Sequence, residues 1–356
     1  MEQKGEFVPW YHLWLGTDFT MVASDPDSAQ WVLRKGEIGR ADFVGLPRTF
    51  NDMLGRNIAI ADGVDWRRHR AALSCGFNEE AYRSYYPAFN EVTEKCLNIF
   101  RGLPEGVDLD ISTYFTKFTL DLLGKSIFHY DFKYLEMDDN PYYKAYRTIM
   151  LGGGPLNQLL VELIPGWSYC PFFGPKRFKE ACELMRTLFK NIIQEHQNKD
   201  THYEDLLDKL LKFQSVDHTL SDLELYSNIW ALFVAGHETT ATALSWAFAE
   251  LADKQDLQER LYQHILTEFP TGTPSIEAIL HPPTFLDCFI KENLRHHPPG
   301  SIVPTRRVGQ ELQCGQQRIP AGCRVAIDIW AVHHNPKYWK NPSVFEPDRF
   351  LPERRK

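Results

Sequence analysis

The sequence predicts a mainly α-helical fold with a small β-rich portion. Long segments typical of helices follow one another from about residue 66 to residue 297, separated by short breaks. Strand-like runs lie near both ends of the chain, at about 7–24 and 301–330. The 356 residues suffice for one large domain or two ordinary ones, and the sequence shows no internal repeat and no low-complexity segment.

The first elements are predicted to be a hairpin and a helix. Residues 10–16 and 20–24 are strand-like, and Gly16-Thr17-Asp18 between them is typical of a hairpin turn. Asp25 and Pro26 then predict the start of a helix, with the aspartate as N-cap and the proline at the first helical position.

The middle of the chain is predicted to be helical. We expect Gly36 to end the first helix, and residues 39–63, which are rich in Gly, Pro, Asn and Asp, to form a long loop. The break at 152–174 holds several glycines and prolines, which indicates a connection rather than a domain boundary. The predicted helices are 66–74, 79–101, 112–129, 141–151, 175–198, 203–213, 221–252, 255–268 and 284–297.

After residue 300 the sequence changes character. Residues 301–330 are typical of short strands, and the runs E-L-Q-C and R-V-A-I on either side of Pro320-Ala321-Gly322 predict a hairpin. The helix-breaking segment H-N-P-K follows, and N-P-S-V-F-E-P-D-R-F predicts a loop. Both ends of the chain therefore contribute to the predicted β-rich portion.

Composition and charge argue against several classes of protein. The 356 residues carry a net charge of −8, which disfavours a general nucleic-acid or anionic-membrane surface. The seven cysteines form no C-x-x-C pair, so neither a disulfide framework nor a zinc site is indicated. The first residues contain no apolar core of signal-peptide length, so we expect neither secretion nor an anchor. Residues 225–252 are long enough to span a membrane, but His237 and Glu238 would be costly in lipid, which favours a buried helix.

The segment A-G-H-E-T-T, residues 235–240, places small and polar residues at the centre of an apolar helix. Glycine inside a helix costs about 1 kcal/mol relative to alanine, so Ala235-Gly236 is explained if something bulky and flat lies against the backbone there. Glu238 and Thr239 would supply a carboxylate and a hydroxyl that relay protons or position a water. The alternative is a crossing of two helices at small residues, with the polar groups facing a buried water.

Glu292 and Arg295 form an E-x-x-R pair on a predicted helix. Residues three apart lie on one helical face and can pair, although such pairs are also common on solvated surfaces. The context adds weight to this pair, because H-H-P-P follows at once and Arg349 stands in F-E-P-D-R-F.

A basic segment, W-R-R-H-R, begins at Trp66. Trp66 and Arg70 are four apart and share a helical face, where an indole N–H and a guanidinium can hold an anionic group together. The alternative is a solvated basic face, although the net acidic charge of the chain argues mildly for a specific anion.

These motifs occur in the order W-R-R-H-R, A-G-H-E-T-T, E-N-L-R and F-E-P-D-R-F. In this order the sequence resembles the cytochrome P450s over almost its whole length, up to Phe350. The resemblance implies a cytochrome P450-like fold that forms a single domain over residues 1–356 and is incomplete at the C-terminus. It also implies haem-dependent monooxygenation, in which O₂ is activated and one oxygen atom is inserted into a hydrophobic small molecule. The electrons would come from NADPH through a reductase partner.

The resemblance assigns haem contacts to residues that match the family's motifs. These residues are Trp66, Arg70, Ala235, Gly236 and either Arg306 or Arg307. Trp66 and Arg70 match W-x-x-x-R, whose members bind a haem propionate. Arg306 or Arg307, in P-T-R-R-V, falls where the family often places another propionate partner. Ala235 and Gly236 match the signature of the long distal helix, which borders the oxygen site.

Two further groups of residues receive roles in the same way. Glu238 and Thr239 match the catalytic part of the distal-helix signature and would help deliver protons at the oxygen site. Glu292, Arg295 and Arg349 match elements that form a buried charge network in this family. A buried glutamate is tolerable only if it is paired, and two guanidinium forks can satisfy one carboxylate.

The iron ligand of the family is a cysteine in a loop F-x-x-G-x-R-x-C-x-G after the P-x-R-F element, and only L-P-E-R-R-K follows Phe350 here. We therefore expect no metal ligand in this chain, because the thiolate that favours O–O cleavage is missing. Cys288, Cys314 and Cys323 are expected to be small apolar residues rather than ligands. His333 and His334 are expected to be loop residues. The purified chain is expected to hold little haem and to show no thiolate-type spectrum when reduced under carbon monoxide.

Three hypotheses follow for the chain as given, which is expected to be truncated at both ends and inactive. It is an incomplete gene model or splice form of an active enzyme, a genuine short protein without catalysis, or a non-enzymatic binding protein that uses the surface around 225–252. The expected location is cytoplasmic, or peripheral at the endoplasmic reticulum membrane if a full-length form carries an anchor. The segments 43–60 and 152–174, the latter with Trp167, Phe172 and Phe173, lie where the family recognises substrates, and their apolar content indicates a hydrophobic substrate.

Overall fold

The structure is a computed structural model that divides into two units. Unit 1 comprises Met1–Val44 and Thr239–Lys356, and unit 2 comprises Gly45–Glu238. The described residues are 8–15, 18–34, 38–40, 55–137, 139–151, 160, 164, 167, 170, 173–198, 203, 205–217, 220–270 and 272–354. The single domain over 1–356 stays a prediction.

Some predicted features lie outside the described residues. These are Gly16 and Thr17 of the first turn, the helix end at Gly36, residues 41–54 of the predicted loop, most of the break at 152–174, and Phe172.

Unit 1 contains a five-stranded sheet built from both ends of the chain. The strands are β1 (Trp10–Leu15), β2 (Asp18–Ala23), β3 (Ile38–Arg40), β4 (Ile302–Val308), β5 (Leu312–Cys314), β6 (Gln317–Ile319) and β7 (Arg324–Asp328). The five-stranded sheet has the order β1-β2-β7-β4-β3, and β2 and β7 run parallel. β2 lies near the start of the chain and pairs with β7, which lies near its end. The prediction of a β-rich portion built from both ends of the chain is therefore confirmed.

One predicted strand pairing is wrong. The run E-L-Q-C does not pair with R-V-A-I around Pro320-Ala321-Gly322, because β5 pairs with β6 across the short turn Gly315-Gln316. β7 pairs instead with β2 and β4. The reason is local backbone geometry: Gly315 has a φ of 56°, in the left-handed region that two-residue hairpin turns use.

The chain forms a mainly helical fold, as predicted. The helices are α1 (Pro26–Arg34), α2 (Gly63–Ser74), α3 (Glu79–Arg101), α4 (Ile111–Ile127), α5 (Pro141–Met150), α6 (Phe173–Asn198), α7 (Leu206–Asp217), α8 (Asp222–Asp253), α9 (Gln255–Glu268), α10 (Ile276–Leu280), α11 (Thr284–His296) and α12 (Ile329–His334). Two 3₁₀ helices, Pro347–Phe350 and Pro352–Arg354, follow. Every predicted helix is present, whereas β3, α10 and α12 were not predicted.

Side-chain caps decide where several helices begin. The carboxylate of Asp25 accepts a hydrogen bond of 2.8 Å from the backbone N–H of Ser28, which confirms the predicted start of α1. α7 begins at Leu206 rather than at residue 203, because Asp205 caps it by accepting from the N–H of Asp208 at 2.8 Å.

The predicted strand pattern up to residue 330 is also too long. β7 ends at Asp328, whose carboxylate accepts from the N–H of Ala331 at 2.8 Å and so caps α12. His333 and His334, which were expected in a loop, lie in the last turn of α12.

Unit 2 has an aromatic core around the first part of α8. Trp230 and Phe233 are 1% and 0% exposed, and both rings contact Phe189 of α6 and Tyr146 of α5. Aromatic pairs of this kind contribute about 0.5–1.5 kcal/mol each beyond the burial of their area. The part of α8 that precedes A-G-H-E-T-T is therefore fixed in unit 2 by its packing against aromatic rings of α5 and α6.

Among the described residues, no helix is both long enough and apolar enough to cross a membrane.

Candidate functional site

Glu292 lies at the centre of a buried charge network in unit 1. Its side chain is 0% exposed. Arg295 binds the carboxylate with two hydrogen bonds, from Nε to Oε2 at 2.7 Å and from Nη2 to Oε1 at 2.8 Å. Arg349 donates from Nε to Oε1 at 3.1 Å, and the backbone N–H of Glu346 donates to the same oxygen at 2.7 Å. The E-x-x-R element and the P-D-R-F element thus meet at one carboxylate.

The two guanidinium groups also bind backbone carbonyls around them. Arg295 Nη1 donates to the carbonyls of His333 and Pro342, both at 2.9 Å. Arg349 Nη1 donates to the carbonyl of Lys340 at 2.9 Å. Because the charges are paired and their remaining N–H groups have acceptors, the network meets the conditions under which buried ions are tolerated. It holds α11 against the segment that leads to the C-terminal 3₁₀ helices.

The A-G-H-E-T-T segment lies in the middle of the 32-residue helix α8. Ala235, Gly236, Thr239 and Thr240 are exposed, which is unusual for small and uncharged residues at the centre of an apolar helix. Residues four apart lie on the same side of a helix, so Thr239 follows Ala235, and Thr240 follows Gly236. One side of α8 is therefore lined by small residues and hydroxyl groups.

His237 points to the opposite side and is fully buried in unit 2. Its Nδ1–H donates to the carbonyl of Phe233 at 2.6 Å, and its ring packs edge-on against Tyr146 at a centroid distance of 4.6 Å. The hydroxyl of Thr119 on α4 donates to the His237 carbonyl at 3.2 Å. Burial lowers the pKa of His237 to about 4, so the ring is neutral at pH 7. This histidine belongs to the core packing of unit 2.

Gly236 has a close neighbour on α4. A Cβ atom at this position would lie 2.7 Å from Cδ1 of Leu123. The absent side chain therefore lets Leu123 approach the backbone of α8, which supports the helix-crossing explanation of this glycine. Glu238 is half-buried. Burial of the Tyr146 hydroxyl raises the pKa of Tyr146, and the nearby carboxylate of Glu238 raises it further. The sequence contained no signal for either contact, because Leu123 and Tyr146 are more than ninety residues away.

α2 packs on the first turns of α8 through polar contacts. Arg68 Nη1 donates to Oε2 of Glu224 at 3.0 Å, and this guanidinium lowers the pKa of Glu224 to about 2. His69 is 0% exposed, and its Nδ1 accepts from the side-chain amide of Asn228 at 2.8 Å. Two members of the basic segment W-R-R-H-R thus hold α2 in place.

Trp66 and Arg70 lie on α2 one turn apart. Trp66 is half-buried and Arg70 is exposed. Arg68 and His69 are engaged with α8, whereas Arg67 and Arg70 are exposed, and of these two only Arg70 lies one helical turn from Trp66. The spacing places the indole and the guanidinium on one side of the helix, as an anion-binding pair requires.

Arg306 and Arg307 are neighbours on β4, where successive side chains point to opposite faces. Arg307 is exposed, and its Nη1 donates to the carbonyl of Gly322 at 3.3 Å. Arg306 is half-buried on the other face. The two residues, between which the sequence could not choose, therefore have different surroundings.

The seven cysteines are all free thiols. Burial raises the pKa of Cys96 to about 11 and that of Cys182 to about 12. Burial also raises the pKa of Cys75 and of Cys323. Each of these four side chains is protonated at neutral pH, whereas a metal ligand must be a thiolate. Cys288 on α11 is 1% exposed.

Curated relatives match the chain over nearly all of its length. A human protein named cytochrome P450 4F12 is 30% identical over 377 residues, which cover 100% of this chain and 71% of the relative. A pea protein named cytochrome P450 97B1, chloroplastic, is 26% identical and covers 96% of this chain and 66% of the relative. The chain thus spans about two thirds of the length of these relatives.

Solved structures of the same fold align with almost the whole chain. The haem domain of cytochrome P450DA superposes with a TM-score of 0.82 at 21% identity, covering 98% of this chain and 75% of that one. A zebrafish cytochrome P450 determined with progesterone superposes with a TM-score of 0.78 at 24% identity, covering 98% and 82%. The family model for cytochrome P450 matches residues 1–356. With its fold and its motifs in the order of that family, the chain belongs to the cytochrome P450 family.

Proposed function

We propose that this chain supplies the oxygen-side helix and the propionate contacts of a haem-dependent monooxygenase that inserts one oxygen atom of O₂ into a hydrophobic small molecule. The observation that carries the proposal is the exposed side of α8, on which the small residue Ala235 is followed one turn later by the hydroxyl of Thr239. Membership of the cytochrome P450 family supports the class of reaction. Electrons would come from NADPH through a reductase partner.

The described residues fit the haem periphery by their chemistry. Haem, when bound, supplies the iron centre at which dioxygen is activated. In unit 2, Trp66 and Arg70 would bind one propionate through an indole N–H and a guanidinium. In unit 1, Arg306 is the better candidate for a propionate contact than Arg307, because Arg307 already donates to a backbone carbonyl on the other face of β4. Gly236 would bring the backbone of α8 close to the oxygen site.

The proton path is assigned to two neighbouring residues of α8. The hydroxyl of Thr239 can accept and donate a proton and lies on the exposed side of the helix. Glu238 is half-buried beside Tyr146, so its carboxylate can take up a proton from solvent and pass it to a hydroxyl or a water. Replacement of Glu238 by Gln would keep its size and remove this capacity.

Five of the seven cysteines do not fit the axial thiolate. Burial favours the protonated thiol at Cys75, Cys96, Cys182 and Cys323. Cys288 is enclosed inside unit 1 and has no exposed surface toward a flat ligand. This disagreement supports the second candidate, a catalytically inactive relative that acts as a non-enzymatic binding protein.

Titration of the purified 356-residue chain with hemin tests the propionate assignment. We expect Arg70→Leu to weaken hemin binding about 10–100-fold, since a charge-assisted hydrogen bond contributes about 1.5–3 kcal/mol. Arg67→Leu removes an exposed arginine from the same helix and is the matched control, with no expected change. Binding is followed by the Soret absorbance.

Equal hemin affinity in the two variants would contradict the role of Arg70. The same samples, reduced under carbon monoxide, test the cysteine assignment. We expect no thiolate-type band, because burial favours the protonated thiol at Cys75, Cys96, Cys182 and Cys323, and Cys288 is enclosed. A stoichiometric thiolate-type band would show that one of the seven cysteines is a ligand. Complete absence of hemin binding would favour the non-enzymatic candidate.

A further inference from the structure

A cluster of two histidines and a glutamate lies in unit 1 and shares no residue with those assigned to haem. Glu250 stands near the end of α8, and His296 and His297 stand at the end of α11. One potential ligand atom from each of the three side chains lies within 4.8 Å of the others. Nε2 of His297 is 2.6 Å from Oε1 of Glu250. The two imidazole rings meet edge-on at a centroid distance of 4.6 Å.

Aromatic neighbours hold the imidazole rings in place. His297 stacks on Trp246 with a centroid distance of 4.1 Å and an interplanar angle of 5°. His296 lies 5.2 Å from the ring of His334, which stacks on Trp330 at 4.4 Å. Packing of this kind fixes ring orientation before a ligand arrives, which is what a preorganised site needs.

Two cations border the cluster, and each has a second anchor. Lys254 binds Glu250 and also donates to the carboxylate of Asp253 at 3.2 Å. Arg295 Nη2 donates to Nδ1 of His296 at 3.2 Å, and it also donates to Glu292 at 2.8 Å. Both cations can therefore give up their bond to the cluster and remain paired.

A second histidine–carboxylate cluster in unit 2 provides a contrast. His196 donates from Nδ1 to the carbonyl of Ile192 at 2.9 Å, and its Nε2 lies 3.0 Å from Asp205. Burial lowers the pKa of His196, but the hydrogen bond to Asp205, the charges of Asp205 and Asp208 and the carbonyl of Ile192 together outweigh burial and raise it. Because both ring nitrogens of His196 face oxygen acceptors, the arrangement favours the protonated ring, which has no nitrogen lone pair to offer a metal ion.

We propose that Glu250, His296 and His297 bind a divalent transition-metal ion such as Zn²⁺ or Cu²⁺. Two imidazole nitrogens and one carboxylate oxygen are the donors that Zn²⁺ and Cu²⁺ accept, and a water would complete the coordination. The ion replaces the hydrogen bond between His297 Nε2 and Glu250, and these two atoms move apart from 2.6 Å to admit two metal–ligand bonds of about 2 Å. Any proton on a ligand is released to solvent. The bound ion would join the end of α8 to the end of α11.

Calorimetric titration of the full chain with ZnCl₂ tests the site. We expect one ion per chain and a higher thermal unfolding midpoint with Zn²⁺, because an ion that binds only the folded chain stabilises it. Glu250→Gln and His296→Gln should each bind Zn²⁺ about tenfold more weakly or worse. His281→Gln removes an exposed histidine outside the cluster and should bind as the original chain does. Equal Zn²⁺ affinity in His296→Gln and His281→Gln would overturn the proposal.

A second measurement does not depend on ligand variants that fold poorly. Cu²⁺ quenches the fluorescence of a tryptophan that contacts its ligand, and Trp246 stacks on His297. We expect saturable quenching in the original chain and a clear loss of that quenching in Trp246→Phe, with calorimetric Cu²⁺ binding retained. Quenching of the same size in Trp246→Phe would place the ion elsewhere and contradict the site.

Discussion

Glu292→Gln is expected to lower the free energy of unfolding by about 3–5 kcal/mol, the usual cost of removing one partner from a buried ion pair. Glu292 accepts hydrogen bonds from Arg295, from Arg349 and from the backbone N–H of Glu346. The amide cannot balance two guanidinium charges. Arg295 would remain buried without a counter-ion, and Arg349 would keep only the exposed carboxylate of Glu346, 3.6 Å away. Urea unfolding followed by circular dichroism measures the change.

Asp348→Asn is the matched control for this prediction. Asp348 pairs with Arg260 at 2.7 Å, but the Arg260 side chain is 51% exposed. Exposed pairs contribute about 0–1 kcal/mol, so the urea midpoint should move little. Moderate salt should weaken the Arg260 pair and leave the Glu292 network almost unchanged, since buried charges are screened less. If Glu292→Gln unfolds at the midpoint of Asp348→Asn, the network does not carry the stability assigned to it.

Acidification is expected to destabilise the fold through His237. Burial lowers the pKa of this histidine from 6.5 to about 4 in the folded chain. Between these two pH values the unfolded chain binds more protons than the folded chain, so stability is present above pH 6.5 and is lost as the pH falls toward 4. The difference between the two pKa values corresponds to about 3 kcal/mol. Urea midpoints measured from pH 7 to pH 4 test this expectation.

The effect is isolated by comparison with a variant that cannot titrate at this position. His237→Gln keeps an N–H that can reach the carbonyl of Phe233 and should lose less stability on acidification than the original chain does. His281→Gln lacks an exposed histidine and should keep the original pH dependence. If the pH dependence of His237→Gln matches that of the original chain, other groups cause the acid sensitivity.

The sequence predicted helices well where their ends are marked locally. α3 begins at the predicted residue because Asn78 caps it, accepting from the N–H of Ala81 at 2.8 Å. The β5–β6 pairing was not predicted, because two turn signals, Gly315-Gln316 and Pro320-Ala321-Gly322, lie close together in the sequence. Only the backbone of Gly315 and the partners of β7 in the larger sheet decide between them.

The same distinction between local and remote interactions applies to the candidate site. Spacing alone predicted that Glu292 and Arg295 share a helical face, since helical geometry relates residues three apart without any tertiary contact. The third partner, Arg349, is 57 residues from Glu292 in the sequence, and its contact with the carboxylate exists only after folding. No periodicity in the sequence relates two residues that are so far apart.

By itself, the sequence determined the class of fold, the identity of the family and the chemical types in A-G-H-E-T-T. The tertiary structure decided which of these residues are buried and which are exposed. His237 enters the core of unit 2 against Tyr146, and Gly236 receives the side chain of Leu123, while Thr239 stays on the exposed side of α8. The physical reason is that helical spacing is set by the local backbone, whereas burial depends on packing partners that are remote in the chain.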